Sequence, residues 1–176
     1  MKNNLFFLIF FLLVGCMPNA KVTTNAITNT SCPIVLFAAE HSKYITSNTQ
    51  RITSENIRYR AEINNYTFSN QCAINDKVFQ AELSLLFIVK PDLAEESNIT
   101  LPFYVAILNV NDELVDMQYH QVDGNLKSEL KNKNFIETEL TKTIKLQIPF
   151  FNEEEVSQNK VVVGFMLDKK KLEILN

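Results

Sequence analysis

Apolar residues recur at every second position over much of the chain beyond residue 32. Ile57, Tyr59, Ala61 and Ile63 alternate with charged or polar neighbours, and successive side chains of a β-strand point to opposite faces. This segment is therefore predicted to be a strand with one buried face. The same period predicts further inner residues at Phe79, Ala81, Leu83, Leu85, Phe87 and Val89, at Ile144, Leu146 and Ile148, and at Val161, Val163, Phe165 and Leu167.

Two pairs of Asn and Asp residues are suited to tight turns, because both residue types tolerate positive φ. A turn at Asn111 and Asp112 would pair the flanking strands so that one face is almost wholly apolar. The apolar face would hold the pairs Tyr104 with Tyr119, Ala106 with Met117 and Leu108 with Val115, and the opposite, outward face would carry Asn109, Asp116, Gln118 and His120. A turn at Asn75 and Asp76 would place Cys72 opposite Phe79 on an inward face.

Short alternating strands separated by turn signals favour an all-β fold. Ile34 to Ala38 would form the opening strand. We predict an antiparallel, immunoglobulin-like β-sandwich of about seven or eight strands with minor helix, and the alternative is a partly closed β-barrel. Two segments, 39–45 and 168–175, are predicted to be helical, whereas 125–140 has no clear pattern.

The first fifteen residues are typical of a secretory signal peptide. Lys2 provides a positive charge, and the ten residues from Leu5 to Val14 are all apolar. A permanent membrane-spanning helix needs about 20 apolar residues, so this segment is too short to be one.

The end of this segment resembles the lipobox of bacterial lipoproteins, with the sequence Leu13-Val14-Gly15-Cys16. The resemblance implies cleavage after Gly15 and covalent lipid on Cys16; the alternative is an ordinary signal peptide followed by a coincidental cysteine. Met17 follows the cysteine, which in that family favours the periplasmic face of the outer membrane over inner-membrane retention. The predicted organisation is a signal peptide (1–15), a lipidated cysteine with a flexible, Thr- and Asn-rich tether (16–31) and a β-sandwich domain (32–176).

Dispersed short segments resemble uncharacterised envelope lipoproteins of alphaproteobacteria. The resemblance covers nearly the whole mature chain but implies no activity, and only Cys16 transfers as a functional residue. These segments are Ser31-Cys32-Pro33, Arg60-Ala61-Glu62-Ile63, Cys72, Pro102-Phe103-Tyr104-Val105-Ala106 and Val163-Gly164-Phe165-Met166-Leu167.

Two cysteines remain once Cys16 carries lipid. Export to an oxidising compartment favours a disulfide between Cys32 and Cys72. The alternative is two buried free thiols, because sequence does not show the distance between them.

The chain has few features that indicate chemistry. Its formal net charge of −3 provides no basic surface for nucleic acid. It contains no C-x-x-C, H-E-x-x-H, G-x-S-x-G or Walker motif, so no catalytic residue, metal ligand or cofactor beyond the lipid is assigned. His41 and His120 are interpreted as surface polar residues, and the oxygen-rich run from Asn109 to Glu113 as a hairpin turn rather than a calcium loop.

Two hypotheses follow. The first is a lipid-anchored, non-catalytic binding or assembly module of the cell envelope, held on the membrane and contacting an envelope protein partner of unknown identity. Phe135, Phe150 and Phe151 are candidates for its contact surface, although core packing is the more favoured interpretation of these rings. The second is an envelope hydrolase whose carboxylates come together only in the fold, for example Glu62 with Asp116 or Glu82.

Overall fold

A computed structural model of the chain describes residues 28–47, 49, 51–53, 55–92, 98–126, 137–149 and 158–175. Within them, ten strands, a 3₁₀ turn (Ala39–His41) and a short helix, α1 (Lys169–Leu175), make up the regular structure. The strands are β1 (Thr28–Thr30), β2 (Ile34–Phe37), β3 (Lys43–Ser47), β4 (Ile57–Phe68), β5 (Cys72–Asn75), β6 (Val78–Pro91), β7 (Asn98–Leu108), β8 (Leu114–Asn125), β9 (Thr138–Pro149) and β10 (Lys160–Phe165).

The strands form two sheets that pack face to face. The larger sheet has the order β1-β5-β6-β4-β3, with β9 paired to the other side of β6, and the smaller sheet has the order β2-β10-β7-β8. The described strands do not close into a barrel, so the predicted β-sandwich is confirmed and the barrel alternative is wrong. The described residues form ten strands where about seven or eight were predicted. One strand pair departs from the antiparallel prediction, because β2 runs parallel to β10.

The larger sheet and β10 contribute to the core the inner residues that the alternation predicts, whereas Phe103, Val105 and Ile107 of β7 are core residues that it did not predict. In β4, β6, β9 and β10 the predicted inner residues are buried, except Leu167, which lies just beyond β10 and is half-buried. The ring of Phe87 lies at the centre, with its centroid 5.1 Å from that of Phe103 and 5.8 Å from that of Phe165. These three rings come from both sheets, so aromatic packing joins the two layers.

A hydrogen-bonded tyrosine also connects the layers. The Tyr59 hydroxyl on β4 donates to the carbonyl oxygen of Thr100 on β7 at 3.2 Å, and it accepts from the Thr100 amide at 3.1 Å. Burial raises the pKa of this phenol. Since a buried hydroxyl is costly without partners, these two bonds stabilise the cross-sheet contact.

The turn between β5 and β6 lies one residue later than predicted. Asp76 and Lys77, rather than Asn75 and Asp76, occupy its centre, and both have positive φ, 48° and 62°. Phe79 therefore pairs with Ile74 instead of Cys72. The pairing moves by two positions, which preserves the faces, so Cys72 and Phe79 both remain fully buried.

The register of the hairpin between β7 and β8 differs from the prediction only near its tip, but the predicted orientation of its two faces is wrong. The partners of Asp116, Gln118 and His120 are fully buried, whereas Tyr119 on the predicted apolar face is 64% exposed. Asn109 pairs with Glu113 across a three-residue loop whose last residue, Asp112, has φ of 62°. Three-residue hairpin loops commonly end with a residue in the left-handed conformation. A bulge beyond the loop leaves Val115 unpaired and restores the predicted partners Tyr104 with Tyr119 and Ala106 with Met117.

Three other segments can be compared with their predictions. The helix predicted over 39–45 is wrong beyond His41, because β3 begins at Lys43 and buries Tyr44 and Ile45. The helix predicted over 168–175 is confirmed as α1. Strand β1 pairs with β5, so the larger sheet already begins within the last residues of the predicted tether.

Several predictions concern positions outside the described residues. They include the signal peptide, the lipobox and the tether up to residue 27, together with most of 125–140. Phe135, Phe150 and Phe151 are also among these positions.

Candidate interaction surface

The two cysteines predicted to pair form a disulfide in the structure. The Cα atoms of Cys32 and Cys72 are 5.3 Å apart. Cys32 immediately precedes β2 of the smaller sheet, and Cys72 begins β5 of the larger one. The bond therefore links the two layers at the start of the domain. The third candidate, Cys16, lies outside the described residues.

The structure accounts for His41 through local contacts. Its Nδ1 lies 3.0 Å from the carbonyl oxygen of Phe165, and its ring meets that of Tyr104 edge to face at 5.7 Å. The residue is half-buried, so the prediction of a surface polar residue is only partly met. These contacts hold the 3₁₀ turn against β10 and β7.

The outward placement predicted for His120 is wrong. Its ring stacks on Phe103, a fully buried residue, at 5.4 Å with an interplanar angle of 28°. Burial lowers the pKa of the His120 imidazole, and the nearby ammonium of Lys142 lowers it further. The side chain lies at the rim of the core, where β8 approaches β9.

The carboxylates proposed for the hydrolase alternative do not come together. Glu62 lies opposite Ile88 of β6, whereas Glu82 is six residues earlier on β6, a separation of about 20 Å along a strand. Asp116 belongs to the other sheet. A shallow cavity of about 270 Å³ at the break between β4 and β5 has Glu82 as the one carboxylate among its described lining residues.

The described residues also contain no group of three His, Cys, Asp or Glu side chains that could hold a metal ion. Within the turn after β7, the Asn109 side-chain oxygen accepts from the backbone amides of Asn111 and Glu113, both at 2.9 Å. Its side-chain amide donates to a Glu113 carboxylate oxygen at 2.9 Å. The side-chain oxygens of Asn109 and Glu113, which were considered as calcium ligands, therefore accept hydrogen bonds within the hairpin.

The most distinctive surface of the described structure is the outer side of the smaller sheet. Strand pairing places Leu36, Val162, Ala106 and Met117 side by side in one row across β2, β10, β7 and β8. Directly paired residues share a face and alternate residues along a strand return to it. We call this surface the apolar face, and it comprises Ile34, Leu36, Val162, Tyr104, Ala106, Leu108, Leu114, Met117 and Tyr119.

Several side chains of the apolar face are strongly exposed to solvent. Ile34 and Tyr119 are each 64% exposed, Leu114 is 57% and Leu36 is 45% exposed. Four strands at a spacing of about 4.8 Å and five residues at about 3.4 Å give the face an area of about 300 Å². Contiguous apolar patches of about this size on a soluble domain commonly mark interaction sites.

A glycine on β10 shapes the middle of the apolar face. Gly164 pairs with Tyr104, and a Cβ atom at Gly164 would lie only 2.6 Å from the Tyr104 hydroxyl oxygen. It would also lie 2.8 Å from the Cβ of His41. The absence of a side chain at Gly164 thus leaves room for the end of the Tyr104 side chain and for His41.

The outer side of the larger sheet has the opposite character. A row of hydroxyl groups crosses it, with Ser84 Oγ 2.9 Å from Ser69 Oγ and 2.7 Å from Thr143 Oγ1. Glu82 pairs across the strands with Lys145 on the same side. The two outer sides of the sandwich are therefore chemically unequal, and only the smaller sheet presents a broad apolar surface among the described residues.

The apolar alternation of this hairpin is visible in the sequence, but the prediction that its polar side faces solvent is wrong. β7 is apolar on both faces, because Phe103, Val105 and Ile107 point into the core while Tyr104, Ala106 and Leu108 point outward. The polar residues of β8 pair with the inner set. One feature of the sequence could have shown that both faces of β7 are apolar. The eight residues from Leu101 to Leu108 are all apolar, a pattern typical of a strand covered on both sides.

Comparisons with known proteins do not identify a family. A scan against protein-family models, a search of curated proteins and a search of solved structures each found no match to this chain. Neither helical segment of the described chain has the length and apolar character required to cross a bilayer. The lipoprotein resemblance accordingly stays a prediction that depends on the four residues ending at Cys16.

Proposed function

We propose that this protein is a lipid-anchored, non-catalytic binding or assembly module of the cell envelope. Cys16 carries the lipid and holds the domain at the periplasmic face of the outer membrane. The domain uses the apolar face to contact an envelope protein. The observation that carries the proposal is the apolar face itself, on which Ile34 and Leu36 are exposed at one edge of the smaller sheet and Tyr119 is exposed at the other.

The energetics of this surface support binding. Removing about 300 Å² of apolar surface from water contributes on the order of 7 kcal/mol before the costs of association are subtracted. A surface formed by regular strands is already ordered before binding, so little additional entropy is lost when a partner docks. These properties suit a preformed contact site.

The charges at the rim favour a protein over a lipid surface as the partner. Surfaces that lie on a bilayer combine an apolar face with unpaired Lys or Arg residues that reach the headgroups. Lys160, which lies between Ile34 and Leu108 in the end row of the apolar face, is instead engaged with Asp112, with 2.6 Å between its Nζ and Oδ1. This cation therefore has a protein partner in the same chain.

Site-specific photocrosslinking in intact cells tests this function. A photoreactive residue at Leu36 is expected to crosslink to a discrete protein, because its side chain lies in the central row of the apolar face. The matched control carries the photoreactive residue at Thr143, on the polar outer side of the larger sheet. This variant should give no discrete crosslinked product. Equal labelling at both positions, or crosslinking of Leu36 to lipid alone, would contradict the proposal.

The anchor is tested separately. Cys16→Ser removes the atom that would carry the lipid, so this variant should move from the membrane fraction to the soluble fraction. Firm retention in the membrane fraction would show that the anchor has been assigned wrongly, without bearing on the apolar face.

A further inference from the structure

Strand β8 is the long free edge of the smaller sheet. It extends over twelve residues and pairs with β7 on one side, and no other described strand pairs with its second side. A free edge exposes unpaired backbone N–H and C=O groups, which can pair with a strand from another chain. Proteins usually protect such edges by keeping them short or by placing Lys or Pro in them.

The other edge strands of the described sandwich have these protections. β9 has the same length as β8, but it contains Lys142, Lys145 and Pro149. β2 and β3 have only four and five residues. β8 contains no Lys, Arg or Pro in its sequence Leu-Val-Asp-Met-Gln-Tyr-His-Gln-Val-Asp-Gly-Asn. It therefore lacks the Lys and Pro residues that protect β9, and its bulge at Val115 lies near one end, so the strand from Asp116 to Asn125 is regular.

The sequence of β8 is complementary to itself when it is reversed about Gln118. An antiparallel pair of β8 strands with a two-fold axis at Gln118 places Met117 opposite Tyr119 on the outer side. On the inner side, it places Asp116 of each copy opposite His120 of the other. A two-fold axis at Asp116 would instead place two carboxylates against each other, which is unfavourable.

One cationic side chain lies near His120, which makes this pairing more favourable. Lys142 on β9 is close enough to act on the His120 ring electrostatically. Within the described structure, the Asp116 carboxylate accepts from the Gln118 side-chain amide at 3.0 Å. An Asp116 carboxylate from a second copy would add negative charge next to Lys142 and His120, so the charges of the two edges are complementary.

We infer that two copies of this chain associate through antiparallel pairing of their β8 strands about Gln118. The association joins the two smaller sheets into one eight-stranded sheet. It also joins the two apolar faces into a surface of about 600 Å², which is closer to the roughly 800 Å² that each partner contributes to a standard protein interface. The inference rests on the proposed function, because lipid anchoring would concentrate the copies in one plane and strengthen a modest edge contact.

Cysteine crosslinking in the intact envelope tests the inference. Full-length chains carrying Gln118→Cys are co-expressed with two different epitope tags and treated with a mild oxidant. The two new cysteines face each other across the axis with Cβ atoms about 5 Å apart, so a disulfide-linked dimer carrying both tags is expected. Cys32 and Cys72 do not compete, because they are already bonded to each other.

Gln121→Cys is the matched control on the same strand. In the predicted register the two cysteines introduced at this position, one from each chain, are six positions apart along the paired strands. This separation is about 20 Å, so they should not crosslink. A second pair, Met117→Cys in one tagged chain and Tyr119→Cys in the other, should form a mixed dimer. This pair keeps Gln118 intact, so it tests the register even if the first variant does not fold.

The outcomes separate the inference from the proposed function. Dimer formation by Gln118→Cys and the mixed pair but not by Gln121→Cys would support the inference. Equal crosslinking at Gln118 and Gln121, or none in any combination, would overturn it. Conjugates of Gln118→Cys with a different polypeptide would also overturn it, but they would support the binding module. Loss of the discrete Leu36 photoproduct together with a retained β8 dimer would instead contradict the proposed function alone.

Discussion

Replacing Gly164 with Ala should destabilise the domain by overfilling the contact between β10 and Tyr104. The added Cβ would lie 2.6 Å from the Tyr104 hydroxyl oxygen, 2.7 Å from Tyr104 Cζ and 2.8 Å from His41 Cβ. Overpacking of this kind costs about 2 to 3 kcal/mol when two side chains must move. Ala is favoured over Gly in a strand by about 0.5 to 1 kcal/mol, so the net loss is about 1 to 2.5 kcal/mol.

Thermal denaturation followed by circular dichroism measures this loss. For a domain of this size, the Tm should fall by about 2 to 10 °C. Gly124→Ala is a useful comparison, because its added Cβ would meet Leu140 Cδ2 at 2.5 Å, the end of a flexible side chain that can turn away. The loss for Gly124→Ala should therefore be smaller.

A double-mutant cycle tests the proposed cause. In a Tyr104→Ala background the ring is absent, so Gly164→Ala should cost at least about 1 kcal/mol less than in the original chain. The reasoning would be refuted by an unchanged Tm for Gly164→Ala alone. It would also be refuted by the same loss in both backgrounds.

Three further predictions concern the core and its links. Cys32→Ala removes a disulfide that closes a loop with a sequence separation of 40, so the free energy of unfolding should fall by about 3 to 4 kcal/mol in the chain-entropy model. In the original protein, alkylation without reductant followed by mass spectrometry should leave both Cys32 and Cys72 unmodified. Full alkylation under these conditions would exclude the disulfide. Tyr59→Phe removes both hydrogen bonds to Thr100 and should cost about 1 to 3 kcal/mol in urea denaturation, and a change within error would show that these bonds contribute nothing. Because the pKa of His120 is lowered in the folded state, the unfolded chain binds the extra proton first, so stability should fall as the pH drops from about 6.5 through the folded pKa. His120→Phe should weaken this dependence, and an identical pH profile would contradict the assignment.

The alternation of apolar residues was enough to predict much of the core. In β4, β6, β9 and β10 one face is apolar and the other is polar or mixed, so the period of two also shows which face is buried. Phe87 and Phe165 are predicted as inner residues in this way. Local chemistry also placed both turns within one residue, since Asp76 and Asp112 have the positive φ that such turns require.

The candidate surface could not be predicted in the same way. β7 is apolar on both faces, and nothing within its own sequence decides whether Phe103 or Tyr104 points inward. The larger sheet decides this, because Phe87 provides the ring against which Phe103 packs. Once Phe103 is buried, the strand register places its partner, His120, on the inner side and leaves Tyr119 in solvent.

The sequence by itself determined the strand-rich fold and most of the buried face of each alternating strand, because these depend on local periodicity. It favoured a bond between Cys32 and Cys72, and the structure brought the two residues together. Only the tertiary structure decided the parallel pairing of β2 with β10, the exposure of the apolar face and the free edge of β8. Those features depend on contacts between residues far apart in the chain, such as Val35 with Val161, and a local pattern is compatible with several such arrangements.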